Sequence, residues 1–212
     1  MSDPVTLYYD KRGHQLVKNL EKRHFEAYYC ASKEEALKKA LELIPESSSV
    51  GWGGAMSAQQ IGLMKAISEG NYKAIDRDLA TSPEQREQAM RDCLSADVFL
   101  TGANAISMDG QMVNIDGYGN RCAAIIYGPK TVIVIAGMNK VTDDLDSAII
   151  RARTVAAPMN QQRFLKDVPC SLNGVCSDCK SADCICNQVL ITRHGRAGGR
   201  IKFIIVGENL GL

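Results

Sequence analysis

The run Thr-Val-Ile-Val-Ile-Ala at Thr131–Ala136 is apolar and β-branched, and it carries the clearest sign of the fold. A strand with one exposed face alternates polar and apolar residues, whereas an unbroken apolar run is typical of a strand covered on both faces. The run Cys122–Tyr127 has a similar character, and Gly128-Pro129 separates the two. Both runs are therefore predicted to be buried strands.

Extended and helical patterns alternate on both sides of these runs. Further strands are predicted at Ala27–Cys30, Tyr72–Ile75, Ala96–Leu100, Gln188–Thr192 and Arg200–Val206. Helices are predicted from about Ser57 to Ser68, after Thr81-Ser82-Pro83, and from Thr142 to about Met159. Asp109-Gly110 predicts a hairpin between Ala105–Ser107 and Met112–Ile115. This alternation indicates an α/β fold with a mainly parallel sheet and helices on both faces.

Length and composition agree with one domain, which we place at residues 1–212. The 212 residues are 45% apolar and 23% charged, which suits a chain that buries a core of its own. A formal charge of +1 argues against nucleic-acid or anionic-membrane partners, which require an excess of Lys and Arg. No segment approaches the roughly 20 apolar residues of a membrane span, and the polar N-terminus lacks a signal-peptide pattern. We expect a cytoplasmic protein.

Five of the eight cysteines crowd into an insertion at about 168–188. In a reducing compartment such a group is more often metal-binding or redox-active than disulfide-bonded. The surrounding segment is polar and loop-like, so an ion would have to order it. Four thiolates suit a [4Fe–4S] cluster, which we favour, or zinc as the alternative, although the spacing matches neither standard ferredoxin pattern. The alternative interpretations of this cysteine group are free thiols, or disulfides that form on oxidation. The candidate ligands are Cys170, Cys176, Cys179, Cys184 and Cys186.

A glycine loop at Gly51–Gly54 follows a short strand and precedes a predicted helix. Glycines there permit close backbone approach, and the amides of a helix N-terminus can hold a carboxylate or phosphate. Gly53, Gly54 and Ser57 are therefore predicted to bind a ligand. Tight packing of the junction would also explain the pattern.

Polar side chains are concentrated after the predicted strand Ala96–Leu100. Open α/β sheets bind ligands at the carboxyl ends of their strands. Asp116 or Asp109 is predicted to act as an acid, a base or a hydroxyl acceptor, and Arg121 to clamp a carboxylate or phosphate. Turns and a surface ion pair are the alternative, and Lys140 is either an anion contact or a solvated lysine. The predicted ligand-binding residues of these segments are Asn104, Asp109, Asn120 and Lys140.

Several segments resemble the lactate-utilisation (LUD) domain family: Thr101–Ile106, Asn114–Arg121, Gly128–Lys130, Gly137–Lys140 and Arg200–Gly211. The resemblance extends from about residue 10 to the end, whereas the cysteine segment departs from short lactate-operon members. It implies a fold similar to the sugar-phosphate isomerase and CoA-transferase superfamily. It also implies a link to oxidation of lactate or a related organic acid, often beside iron–sulfur partner proteins. By fold analogy, the glycine loop and residues 104–121 would line one pocket.

Three functional hypotheses follow. The first is a metal-centre protein of organic-acid metabolism that binds a small carboxylate or phosphorylated ligand, as an oxidoreductase component or iron–sulfur-dependent enzyme. The second is a non-enzymatic binding or regulatory subunit with structural zinc or redox-sensing cysteines. Acyl or CoA transfer is the third, weakened because no Glu lies in a glycine-flanked turn of the central region. Self-association into a homo-oligomer is compatible with each.

Overall fold

A computed structural model describes residues 3–164, 166–196 and 199–212. The strands are β1 Glu26–Cys30, β2 Ser49–Trp52, β3 Lys73–Ile75, β4 Val98–Thr101, β5 Ala105–Ser107, β6 Met112–Asp116, β7 Thr131–Gly137, β8 Val141–Thr142, β9 Gln188–Thr192 and β10 Ile201–Val206. The helices are α1 Pro4–Lys22, α2 Lys33–Glu42, α3 Met56–Gln60, α4 Leu63–Glu69, α5 Pro83–Asp92, α6 Asn120–Ile126, α7 Leu145–Arg151, α8 Ala157–Gln161 and α9 Pro169–Asn173. Short 3-10 or π turns lie at Arg77–Leu79, Cys93–Ser95, Met138–Lys140 and Ala152–Ala156.

The main sheet has six strands in the order β1-β10-β7-β4-β2-β3, all paired in parallel. Successive side chains of a strand point to opposite faces, so β7 supplies two cores. Val132 and Val134 join the core beneath α1, whereas Ile133 and Ile135 join the core beneath α2 and α4. The buried strand predicted at Thr131–Ala136 and the predicted α/β fold are both confirmed.

A smaller sheet, in the order β8-β5-β6-β9, lies after β4 in the chain. The predicted hairpin is confirmed, because β5 and β6 pair antiparallel on either side of Gly110 (φ +91°). The predicted strand at Gln188–Thr192 is present as β9, and it pairs antiparallel with β6. The strand that directly follows the cysteine insertion therefore lies beside β6.

The strand predicted at Cys122–Tyr127 is wrong, because this run forms α6. One carboxylate oxygen of Asp116 accepts hydrogen bonds from the backbone N–H groups of Arg121 and Cys122, which gives the first turn of the helix its partners. Cys122 faces the core, whereas Ile126 is 64% exposed. A short apolar run has no periodicity that separates a strand from a helix.

Two predicted helices are subdivided. The helix expected from Ser57 to Ser68 is split into α3 and α4 at Gly62, whose φ of +82° interrupts the helical backbone. The helix expected from Thr142 to Met159 is realised as α7, a π turn and α8. Within the described parts of the chain, no helix has the length and apolar character needed to cross a membrane.

Four segments meet at the carboxyl edge of the main sheet. The strands β2, β4 and β7 are parallel, so the loops that follow them emerge at the same edge. These loops contain Gly53-Gly54, Gly102 and the turn Met138–Lys140. The end of β6 brings Asp116 to the same region. Residues far apart in sequence are thereby gathered around one space.

Candidate functional site

A cavity of about 450 Å³ opens at this edge of the sheet. Its volume lies within the range of about 300–1,000 Å³ that is usual for small-molecule sites. Eight residues predicted to bind ligand or act in catalysis line it: Gly53, Gly54, Ser57, Asn104, Asp116, Asn120, Arg121 and Lys140. The structure brings these residues together, and their individual roles stay predictions.

Lys140 is a buried cation in the wall of the cavity, with 4% of its surface exposed. Its Nζ donates to Ser57 Oγ (3.3 Å) and to the Ala103 carbonyl oxygen (3.1 Å). Among the residues that the structure describes, no carboxylate lies within ion-pair distance of it. Burial, together with the charges of Arg151 and Arg121, lowers the pKa of Lys140 to about 7. A bound anion would supply the counter-charge.

The glycine loop leads into a very short helix. α3 has five residues, and Ala55 rather than Ser57 lies at its N-cap position. Ser57 therefore lies within α3 and does not cap it. The hydroxyl group of Ser57 instead accepts from Lys140, so the loop contributes a side chain to the inner part of the cavity.

Arg121 and Asn104 are held by a local network. Asn104 Oδ1 accepts from the Ile115 backbone N–H at 2.9 Å, and Arg121 Nη2 donates to the Ile115 carbonyl oxygen. Arg121 Nη2 also lies 3.5 Å from Asn104 Oδ1. Asp116 caps α6 with one oxygen at 2.9 Å from the Arg121 N. The network fixes Arg121, and Asp116 has a structural role besides the catalytic one predicted for it.

Asp109 lies apart from the other predicted ligand-binding residues. It is in the turn of the β5–β6 hairpin, where its Oδ2 pairs with Arg23 Nη2 at 2.6 Å. Its other oxygen accepts from Ser107 Oγ. It does not belong to the cavity lining, and these contacts give it a role in joining the hairpin to α1.

Four basic residues of the cavity were missed from the sequence: Arg77, Arg86, Arg163 and Lys166. Arg77 lies in the 3-10 turn after β3, Arg86 in α5, and the other two follow α8. They share no motif, and each has the appearance of an ordinary surface charge. The fold reveals them, because it brings side chains from separate segments of the chain to one cavity.

The electrostatic character of the cavity favours an anion. Six Lys or Arg residues line it, against three aspartates. Two of those aspartates already have partners: Asp78 pairs with Arg86 at 2.8 Å, and Asp183 with Lys166 at 3.0 Å. The third, Asp116, accepts from the backbone of α6. Excess positive charge in a partly enclosed space attracts negatively charged ligands.

The five clustered cysteines are free thiols, and Cys186 N lies 3.4 Å from the sulfur of Cys184. Burial, then the charges of Cys179, Cys176 and Cys184, raise the pKa of Cys170. Burial, then the neighbouring Cys184, raise the pKa of Cys186 to about 12. Nevertheless, across residues 3–164, 166–196 and 199–212, no group of three or more His, Cys, Asp or Glu is arranged to hold a metal. The donor chemistry suits a metal, and the predicted centre stays a prediction.

Polar contacts attach the cysteine segment to the cavity wall. Asn187 donates to the carbonyl oxygen of Gly117 at 3.0 Å through its side chain and to that of Asp116 at 3.1 Å through its backbone. A methyl group on Gly117 would lie 3.4 Å from the Ile185 Cα, so the cysteine segment passes close to Gly117. Cys184 consequently lines the cavity. The buried residues Cys30, Cys93 and Cys122 lie in the cores, as expected of packing residues.

Comparisons with known proteins agree on one family. A family model described as the LUD domain matches residues 13–206. Lactate utilization protein B of Shouchella clausii (strain KSM-K16) is 24% identical over 60% of this chain and 37% of that protein. The chain therefore matches well under half of the length of this curated relative.

Solved structures show a related fold. A DUF162 family protein from Deinococcus radiodurans has a TM-score of 0.55 at 13% identity, covering 93% of this chain and 98% of the other. Ribose 5 phosphate isomerase A from Neisseria gonorrhoeae has a TM-score of 0.34 at 22% identity, covering 53% and 54%. The first likeness concerns the fold alone, and the second is too weak to carry an argument.

Proposed function

The chain belongs to the LUD domain family, and on this premise we propose that it binds a small carboxylate or phosphorylated ligand in lactate-related organic-acid metabolism. The observation that carries this proposal is Lys140, a buried cation without a carboxylate partner among the described residues, in a cavity lined by excess basic side chains. The name of the related lactate utilization protein B supports an organic acid as the ligand class.

Each polar side chain of the cavity has a separate proposed role in binding. Lys140 would neutralise the carboxylate, and Ser57 Oγ, which already accepts from Lys140, would orient the amine. Arg121 is fixed by the Ile115 carbonyl oxygen and can direct its remaining N–H groups at the ligand. Asp116 would act as the acid or base for a hydroxyl proton.

A metal centre at the cavity wall is the finer part of the proposal. Four of the five clustered cysteines would hold it, with [4Fe–4S] preferred to zinc. Cys184 lies closest to this role, since it belongs both to the cysteine group and to the cavity lining. An iron–sulfur centre would supply electron transfer or an open iron for a substrate oxygen. A cytoplasmic location would keep unligated thiols reduced, and other iron–sulfur proteins would be suitable redox partners.

Calorimetric titration tests the binding proposal. L-lactate is expected to bind the full chain, and Lys140→Met is expected to weaken binding about tenfold or more, as loss of a charge-assisted contact does. Lys65→Met is the matched control, because Lys65 lies on the exposed side of α4 with 76% of its side chain accessible. Equal lactate affinity in the wild type and Lys140→Met would remove the basis of the proposal.

A further inference from the structure

We infer that the ligand of this cavity carries a phosphate group as well as a carboxylate, and that Arg77 and Arg163 at Gly54 bind the phosphate. The inference rests on the proposed function for the carboxylate end, and it adds a second anion site whose two arginines the sequence did not indicate. The proposed ligand is therefore a small phosphorylated carboxylic acid, rather than a molecule that carries only a carboxylate or only a phosphate.

The two arginines flank one point of the glycine loop. A methyl group built on Gly54 would lie 3.7 Å from Arg77 Nη2 and 4.0 Å from Arg163 Nη1. Gly54 has a φ of +57°, in the region that favours glycine, so this point of the loop carries no side chain. The space beside the Gly54 backbone is thus open to a ligand group and bounded by two guanidinium groups.

Among the residues that the structure describes, Arg77 is incompletely paired. Its Nε is buried without a hydrogen-bond partner, and its Nη1 contacts the sulfur of Met90. The nearby carboxylate of Asp78 is 4.0 Å from the Arg77 Nε, and it is paired more closely with Arg86, at 2.8 Å. Burial, and then the charge of Arg86, lower the pKa of Arg77. A dianion placed here would satisfy a guanidinium group that the fold has desolvated.

The carboxylate site and the phosphate site lie in the same cavity, whose lining includes Lys140, Arg121, Arg77 and Arg163. A methyl group on Gly53 would lie 3.7 Å from both the Arg121 Cβ and the Asn120 Nδ2. Gly53 and Gly54 are adjacent in the loop, with Cα atoms about 3.8 Å apart, so the cations near them, Arg121 and the pair Arg77 and Arg163, flank neighbouring residues. One short molecule with an anionic group at each end can therefore reach both.

Phosphate suits the site formed by Arg77 and Arg163 better than a second carboxylate does. Planar guanidinium groups bind phosphate oxygens through paired, charge-assisted hydrogen bonds, and two of them can share the three terminal oxygens of a phosphate monoester. The cavity of about 450 Å³ also leaves room beyond a three-carbon acid.

Three probes with the same carbon frame separate the two sites: glycerate, glycerol 3-phosphate and 3-phosphoglycerate. We expect 3-phosphoglycerate to bind the full chain about tenfold or more tightly than glycerate in calorimetric titrations at neutral pH and low salt. Arg163→Gln is expected to remove this advantage and leave glycerate binding unchanged. Arg77→Gln should do the same, and Arg163→Gln, at an exposed position, keeps the test valid should Arg77→Gln unfold.

Arg91→Gln is the matched control, since Arg91 lies on α5 and pairs with Glu87 outside the cavity. Equal affinities for glycerate and 3-phosphoglycerate would overturn the phosphate inference and leave the proposed carboxylate site standing. A third outcome is that both phosphorylated probes bind, that glycerate does not bind, and that Lys140→Met changes neither affinity. This outcome would support the arginine site and overturn the proposed carboxylate function. Binding of none of the probes would overturn both.

Discussion

Lys140 Nζ lies 3.3 Å from Ser57 Oγ, although 83 positions separate the two residues in the sequence. Ser57 follows β2 and Lys140 follows β7, and these strands are separated in the sheet only by β4. The parallel arrangement brings both loops to the same edge. Among the described residues, the amine of Lys140 has only uncharged hydrogen-bond partners. Anion binding in the cavity should therefore depend on pH.

Anion binding is expected to weaken as the pH rises above neutrality. The pKa of Lys140 is lowered to about 7, so the empty site loses its cation above that pH, whereas a bound anion would hold the proton. Linkage then predicts that L-lactate affinity falls by up to about tenfold per pH unit from pH 7 upward. Titrations in two buffers of different ionisation enthalpy would show the accompanying proton uptake. An affinity independent of pH from 7 to 9 would contradict the role of Lys140.

The same lysine should make folding stability depend on pH. The pKa of Lys140 is lowered from 10.5 to about 7 in the folded protein, so between these values the unfolded chain binds the extra proton. Raising the pH through this window therefore favours the folded state. The wild type is expected to gain stability relative to Lys140→Met from pH 7 toward pH 10, as measured by urea denaturation. Parallel pH profiles for the two proteins would count against the lowered pKa.

Metal content should depend on the clustered cysteines. We expect protein purified without oxygen to be brown and to contain iron and sulfide. Cys176→Ser or Cys179→Ser should release the metal, because four thiolates are needed for the cluster. Cys93→Ser is the control, as that thiol is buried in the core. Colourless protein with stoichiometric zinc would favour the structural or regulatory alternative, and equal metal retention in all three variants would refute the ligand assignment.

The central strand of the sheet should dominate stability. Ile133 of β7 is fully buried in the core beneath α2 and α4. Ile133→Ala is expected to lower the free energy of unfolding by about 2–5 kcal/mol, from lost apolar burial and the cavity left behind. Val189→Ala on the exposed side of β9 should change it by less than about 0.5 kcal/mol. Similar losses for both variants in urea denaturation would indicate that β7 is not central to the core.

Local patterns in the sequence predicted most of the elements. The strands predicted at Thr131–Ala136 and Arg200–Val206 are confirmed, and both lie inside the six-stranded sheet with most of their residues buried. The Asp109-Gly110 hairpin is confirmed because glycine accepts the backbone geometry of its turn. Cys122–Tyr127 was misassigned because an apolar run of six residues fits a strand or a helix, and the carboxylate of Asp116 decides between them.

What the sequence by itself determined was the α/β fold, the glycine loop, the family resemblance and eight of the residues that line the cavity, since the patterns that indicate them are local. Only the tertiary structure placed Asp109 outside the cavity and added Arg77 and Arg163 to it. The sequence around a long charged side chain does not indicate where its charged group lies in the folded protein. The partners of such a side chain are set by which loops the parallel strands bring to one edge of the sheet, and that is a property of the whole fold.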